Sequence, residues 1–409
     1  MSNRVNVSEQ MRSRLASDLG SLKNVGRRVL VLIPDSTRTA PVGVLSKIVC
    51  ETLRGRGARA DLMVALGTHQ PLSRGALLRH LDTSEQEFAS DYPDTSVAQH
   101  AWDDPGSLAE VGRLRAELTA EITNGLMAEE VPLTVNRAVL ECDSILVLGP
   151  VFPHEVAGFS GGSKYVFPGI SGPEMIDFFH WLGAVITNLK TIGVADNPVR
   201  RVIDEAASRM PVPVNAVSLV MGGADLVGLH VGSVEESWTR AAAQSASVHI
   251  VRKPLRYNRV LACAPEMYDD MWTGAKAMYK CEPTVEDEGE LIVYAPHIDC
   301  FSRTHGRALE ALGYHVRDYY ASRMERFAGV PRAVMAVSTY LKGAGSYEDG
   351  VEKPRIRVLL ATGIPEDACA GVGMGYVDPA CINLDEWRDR EDEGLLLVEN
   401  AGETLYLPE

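Results

Sequence analysis

The residues most able to do chemistry crowd into one stretch, 153–172, which reads Pro-His-Glu-Val-Ala-Gly-Phe-Ser-Gly-Gly-Ser-Lys-Tyr-Val-Phe-Pro-Gly-Ile-Ser-Gly. Five glycines fall between Gly158 and Gly172; Lys164 lies among them and His154 stands just ahead. Glycine admits positive φ and close approach of backbone to a ligand, at an entropic cost. A chain that accepts that cost so often in so short a span is expected to hold something there. A mobile surface loop is the plain alternative. The apolar spacers Val156, Phe159, Val166, Phe167 and Ile170 argue against it, because a free loop has no use for them. A Walker-type phosphate loop needs Gly directly before Lys and Ser or Thr directly after. Here Ser163 and Tyr165 flank Lys164, so that match fails. Downstream, Ser171-x-x-Glu174 reads as a capping box with Pro173 in the first turn, predicting a helix over 173–183. Ile176 and His180 then share one face, expected to point inward beside the glycine segment.

The elements that must position these groups read as α/β. Arg28–Ile33 is a buried-strand run, followed by the loop Pro34–Ala40 and a helix from Pro41 that stops at Gly55 and Gly57. Ala60–Leu66 is the next strand, leading into Gly67-Thr68-His69 and a helix near Pro71. This is a βαβ pattern and implies parallel strands. Residues 82–135 read as helical and polar. Ser144–Leu148 is another buried strand and feeds the glycine segment. A helix from Pro198, strands near 215–221 and 226–230, and a helix over 234–249 complete a first domain, 1–252. Asp35 and Arg38, His69, and His154 with Lys164 all follow the carboxyl ends of predicted strands, where open α/β sheets bind ligands. Asp35 with Arg38 could equally be a local ion pair, and His69 a turn residue; their convergence on one edge favours a site.

A second, smaller α/β domain, 253–409, is expected from strands at 259–264, 291–295 and 356–361. Polar residues again follow the strand ends: Asp270 to Lys276, then His297, then Thr304-His305. Residues 395–407 read as a hairpin or paired tail that returns toward the first domain.

Composition sets outer bounds. The chain has 409 residues, 45% hydrophobic and 23% charged, with a formal net charge of −15. That charge, without any basic run, argues against nucleic acid or an anionic membrane as partner. The seven cysteines are scattered with no C-x-x-C, which suggests a reducing cytoplasm and no cysteine-built metal site. Met1-Ser2-Asn3-Arg4 opens a polar segment with no signal-peptide character, and no apolar run reaches membrane-spanning length.

The segment His154–Gly169 resembles the nickel-pincer lactate racemase family, through H-x-x-A-G-F-S-G-G-x-K-x-x-x-P-G and a second histidine at His180. D-x-T-R at 35–38 and G-T-H at 67–69 extend the resemblance. It implies two α/β domains, mainly parallel, with an active-site cleft between them. It also implies a racemase or epimerase that inverts C2 of a 2-hydroxy carboxylate. Hydride leaves C2 for a nickel-pincer nucleotide, a pyridinium-derived mononucleotide carrying nickel, and a planar 2-keto acid forms. On this resemblance Lys164 carries the cofactor covalently and His180 completes the nickel site. Asp35, Gly158, Ser160, Gly161 and Gly162 hold the nucleotide. His69 and His154 act as the two bases, a role suited to imidazole near neutral pH. Arg38 and Lys276 take the substrate carboxylate, with Thr273 and His297 beside the substrate. Enzymes that make the cofactor are the implied partners, and a homodimer is allowed. Thr273 stands where the family's D-x-x-Q-x-x-K has Gln, which points to a substrate other than lactate. Two other readings remain: a phosphate- or nucleotide-binding protein without racemase activity, and another hydroxy-acid oxidoreductase. The absence of G-x-G-x-x-G after a strand counts against an NAD-dependent form of the latter.

Overall fold

A computed structural model describes residues 7–409, so the reading of residues 1–4 lies outside the described chain. The chain divides into two compact units. The first comprises residues up to Phe152, Ser160–Ile176 and Arg200–Val248; the second comprises Pro153–Phe159, Asp177–Val199 and His249–Glu409.

The first unit is built on a six-stranded sheet in the order 225–233, 214–222, 144–150, 28–33, 59–64, 97–99. All neighbours run parallel except the outermost pair, 225–233 against 214–222. Arg28–Ile33 lies centrally, as its almost uninterrupted apolar run requires for a strand covered on both faces. Ile33 is opposite Val64, and Leu32 is opposite Val147. The loops that follow these three strands therefore leave the sheet at one edge. The helix Val42–Gly55 packs Val42, Leu45, Val49 and Leu53 into the core at helical spacing and gives way at Gly57, whose φ is +77°.

Residues 82–135 depart from the helical reading. They hold the helices Phe88–Asp91 and Ala116–Ile122, the edge strand Val97–Gln99, and an antiparallel pair, Leu108–Leu114 with Val131–Asn136. A register shift between Glu110 and Gly112 interrupts the pair. That bulge breaks the two-residue alternation by which a strand shows itself in sequence.

The second unit has a five-stranded, wholly parallel sheet in the order 375–376, 357–362, 285–295, 257–263, 395–398. Cys263 is opposite Tyr294 and Ala295 opposite Thr362, so the loops from 264, 296 and 363 also leave at one edge. The tail is paired, but not on itself. Leu395–Val398 joins Tyr257–Cys263, and Leu405–Pro408 joins Ile250–Lys253, both parallel. The Ala401 amide donates to the Cys263 carbonyl, which holds the connection against the sheet and prevents a tight reversal. Mixed α/β structure around mainly parallel sheets is thus the fold class. No helix among the described residues is long and apolar enough to cross a membrane.

Candidate functional site

In the first unit, three loops separated in sequence meet at the carboxyl edge of the sheet. Asp35 follows Ile33 and is 7% exposed. Its Oδ1 accepts from the Thr37 amide (3.0 Å) and the Thr37 hydroxyl (2.8 Å). Its Oδ2 accepts from Nδ1 of His69, in the loop after the neighbouring strand. A carboxylate only accepts, so His69 carries its proton on Nδ1 and presents the Nε2 lone pair outward. The Gly67 amide donates to the Gly169 carbonyl at 3.0 Å, which ties the His69 loop to the glycine segment. Tyr165, beside Lys164, completes the link. Burial pushes its phenol above the ordinary range; the Arg38 guanidinium opposes that shift and the Asp35 carboxylate adds to it. Arg38 donates from Nη1 to the Thr37 carbonyl at 3.2 Å, which keeps it in the same loop as Asp35.

The glycine segment is shaped from below. Trp238 donates from Nε1 to the Ser160 carbonyl at 2.9 Å, and Arg200 donates to the Gly161 carbonyl at 3.4 Å. The Arg200 guanidinium lies 4.0 Å from the Trp238 ring centroid. With these carbonyls held, the amides of Gly161, Gly162 and Ser163 meet no acceptor among the described residues. Successive amides in such a turn form an anion-binding concavity. Gly161 and Gly162 have φ of +81° and +59°, and a Cβ on Gly162 would come within 2.8 Å of Trp238 ring atoms. Glycine is required there by conformation and by space together. Lys164 follows within the short turn Gly162–Tyr165.

In the second unit, His154 is 4% exposed, and its Nδ1 accepts from the Val156 amide (3.1 Å) and the Ala157 amide (3.4 Å). Glu155 Oε2 lies 3.3 Å from the same nitrogen. A neutral imidazole that accepts at Nδ1 carries its proton on Nε2, the reverse of His69. Phe179 connects the two histidines of this unit: its ring centroid is 6.4 Å from that of His154 and 5.0 Å from that of His180. The helix Pro173–Ile186 that carries His180 begins at Pro173, as read. The capping box does not form as drawn: the Ser171 amide donates to the Pro168 carbonyl at 3.2 Å, and the Glu174 carboxylate accepts from the Thr134 hydroxyl at 3.4 Å. The Tyr340 hydroxyl donates to the His180 carbonyl at 2.6 Å and fixes that turn.

The residues after strands 257–263 and 285–295 form a second polar group in this unit. Asp270 caps the helix Met271–Tyr279, accepting from the Thr273 amide and hydroxyl at 3.0 Å each. Lys276, one turn on, sets Nζ 4.5 Å from the Tyr268 ring centroid. His297 Nε2 donates to the Tyr268 carbonyl at 3.1 Å, and the His305 ring lies 4.7 Å from that of Trp272. Sequence reasoning did not single out Tyr165, Trp238, Arg200, Phe179 or Tyr268. Tyr165 and Tyr268 carry a sequence signal, the one beside Lys164 in the glycine segment and the other just past a strand end. Trp238, Arg200 and Phe179 act through contacts that spacing does not encode.

An α/β protein with a glycine turn of unengaged amides and an Asp–His pair at one sheet edge is the class these features define. Residues 3–193 match the lactate racemase N-terminal domain. The lactate racemase of Thermoanaerobacterium thermosaccharolyticum is 22% identical over 307 residues, 72% of this chain and 68% of that one. The lactate racemase of Lactiplantibacillus plantarum is 25% identical over 182 residues, 42% of this chain and only 38% of that enzyme's length. Among solved structures, a Thermotoga maritima protein superposes with a TM-score of 0.89 at 29% identity, covering 99% of both chains. The T. thermosaccharolyticum lactate racemase apoprotein shares the fold, with a TM-score of 0.70 at 15% identity over 97% of this chain and 92% of that one.

Proposed function

We propose that this chain is a racemase or epimerase that inverts C2 of a 2-hydroxy carboxylate. The observation that carries the reading is the Asp35–His69 pair set at the same sheet edge as the glycine turn and Lys164. A protein that only bound phosphate would use the turn and leave that pair without a task.

The residues present fit a lysine-linked nickel-pincer nucleotide. The free amides of the 161–163 turn suit its phosphate, and Lys164 beside them suits covalent attachment. No group of three or more His, Cys, Asp or Glu among the described residues could hold a metal ion by itself. A nickel that brings its own sulfur and carbon donors asks the protein for one imidazole, and His180 is the candidate. When bound, the group supplies the hydride acceptor.

The chain's own residues then handle charge and protons. Arg38 and Lys276 neutralise the substrate carboxylate; a guanidinium fork suits it in geometry. His69 takes the hydroxyl proton at Nε2 while Asp35 stabilises the imidazolium that results. His154 acts for the other enantiomer: as an imidazolium whose Nδ1 faces Glu155 Oε2 at 3.3 Å it returns a proton to the oxygen, and the two histidines exchange roles when the reaction runs the other way. The Thr273 hydroxyl is engaged with Asp270, so toward substrate it offers a methyl and the room a Gln would fill. A 2-hydroxy acid larger than lactate is the favoured substrate. Seven free cysteines agree with work in a reducing cytoplasm.

The test is intact mass and elemental analysis of protein co-expressed with the cofactor-making enzymes, followed by chiral chromatography on a panel of enantiopure 2-hydroxy acids. Added mass at Lys164, copurified nickel and inversion are expected. Protein with neither mass gain nor nickel refutes the cofactor, and loaded protein that inverts nothing refutes the reaction.

A further inference from the structure

The second unit holds a small cavity of about 30 Å³ that the proposed chemistry does not use. Ala184, Thr187, Asn188, Glu282, Thr339 and Gly343 line it. Glu282 is 1% exposed; its Oε1 accepts from the Ala344 amide at 2.8 Å, while its Oε2 meets no donor among the described residues. Asn188 is 6% exposed, and its Oδ1 likewise meets none. Two residues that line one small space thus each carry a buried acceptor without a donor, a costly arrangement unless something positive or donating reaches them.

The surrounding backbone adds to the negative potential. The helices Pro173–Ile186 and Arg332–Lys342 both end at this cavity, through Ala184 and Thr339, and helix C-termini carry partial negative charge. Thr187, directly after the first helix, has φ 85° and ψ 145°, a conformation a β-branched residue rarely adopts. Such strain persists where the surroundings impose it, often at ligand clamps. Arg355 pairs with the other carboxylate oxygen, Oε1, at 3.9 Å, donates to the Glu282 carbonyl at 2.6 Å and binds Asp287 at 2.9 Å, so it leaves Oε2 without a donor. Arg317, on the lining, binds the Val185 carbonyl and Asp318.

We propose that this cavity binds one monovalent cation of potassium or sodium size, held by Glu282 Oε2 and Asn188 Oδ1. One carboxylate among neutral oxygens suits a single charge; calcium sites gather more carboxylates and six to eight oxygens. The volume suits an ion about as large as a water molecule. Occupancy would fasten the end of the helix that carries His180, and the site stands whether or not the chain is a racemase.

The test is thermal unfolding of the full chain in potassium, sodium, lithium and choline chloride at constant ionic strength, with anomalous diffraction from crystals grown in rubidium chloride. Potassium or sodium should raise Tm saturably over choline, by about 1.5 °C at ten times the half-saturating concentration. Glu282→Gln and Asn188→Ala should each abolish that difference, and a rubidium peak should lie between the two side chains. If Glu282→Gln does not fold, Asn188→Ala and the rubidium peak in the unaltered protein decide. Equal melting in all four salts, or no peak at the site, overturns the proposal and leaves a bridging water. A peak without saturable stabilisation marks an adventitious ion only and overturns it too.

Discussion

Replacing Asp35 with asparagine probes the proposed chemistry at its most sensitive point. Two Thr37 donors, the amide at 3.0 Å and the hydroxyl at 2.8 Å, converge on Asp35 Oδ1. In Asp35→Asn the side-chain oxygen must stay with them, because a backbone N–H cannot turn into an acceptor. The Asn NH₂ then faces His69 Nδ1 and donates to it. The His69 proton moves to Nε2, and the lone pair that would receive the substrate proton is lost. Losing a hydrogen bond to a charged group costs about 1.5–3 kcal/mol, or roughly 10- to 150-fold in rate. The wrong tautomer adds to this; in the Ser-His-Asp triad the same change lowers kcat by about 10⁴-fold. We therefore expect a fall in kcat/KM of between ~10² and ~10⁴ in cofactor-loaded enzyme, read by chiral chromatography, with Lys164 loading unchanged by intact mass. Imidazole ¹⁵N shifts should report the tautomer change whether or not the enzyme turns over. Activity within about threefold of the parent at equal loading would refute the reasoning. Normal rates per loaded site with poor loading would instead make Asp35 a cofactor ligand.

Gly162→Ala forces a Cβ against Trp238 at positive φ and should destabilise the first unit by about 1–3 kcal/mol, measured by urea unfolding. Glu352 gives an acid-sensitive contact in the second unit. Burial alone would raise its carboxyl pKa, but hydrogen bonds from His315 and the Val316 amide outweigh it and hold the pKa below the ordinary value. A depressed carboxylate pKa contributes stability above the unfolded value, about 4.3, that is lost as pH falls through the folded one. Glu352→Gln should therefore flatten this part of the acid limb of a Tm-against-pH curve; an unchanged limb would show the contact to be idle. Cys381 is the exposed cysteine, whereas burial pushes Cys281 to about 12 and Cys50, Cys263, Cys300 and Cys369 to about 11. Iodoacetamide at neutral pH should label Cys381 first in peptide mapping.

Much of this protein is legible in its sequence because local rules govern it. The central strands are continuous apolar runs, and their polar followers Asp35, His69 and Asp270 must emerge at one edge once the strands are parallel. Gly161 and Gly162 announce a backbone that no other residue could follow. What tertiary structure alone decided is partnership. Nothing in the spacing of Asp35, Thr37 and His69 shows which carboxylate oxygen takes which donor, yet that division sets the tautomer of His69. The opposite tautomer of His154 comes from the Val156 and Ala157 amides, which turn back on the ring only because Gly158 and the short strands around it reverse the chain. Trp238 and Arg200 lie far along the chain from the glycine turn they support. The bulged pair in 108–136 and the divided tail escape the eye for a related reason. Strand pairing is a contact between distant residues, and periodicity records only which face of an element is buried.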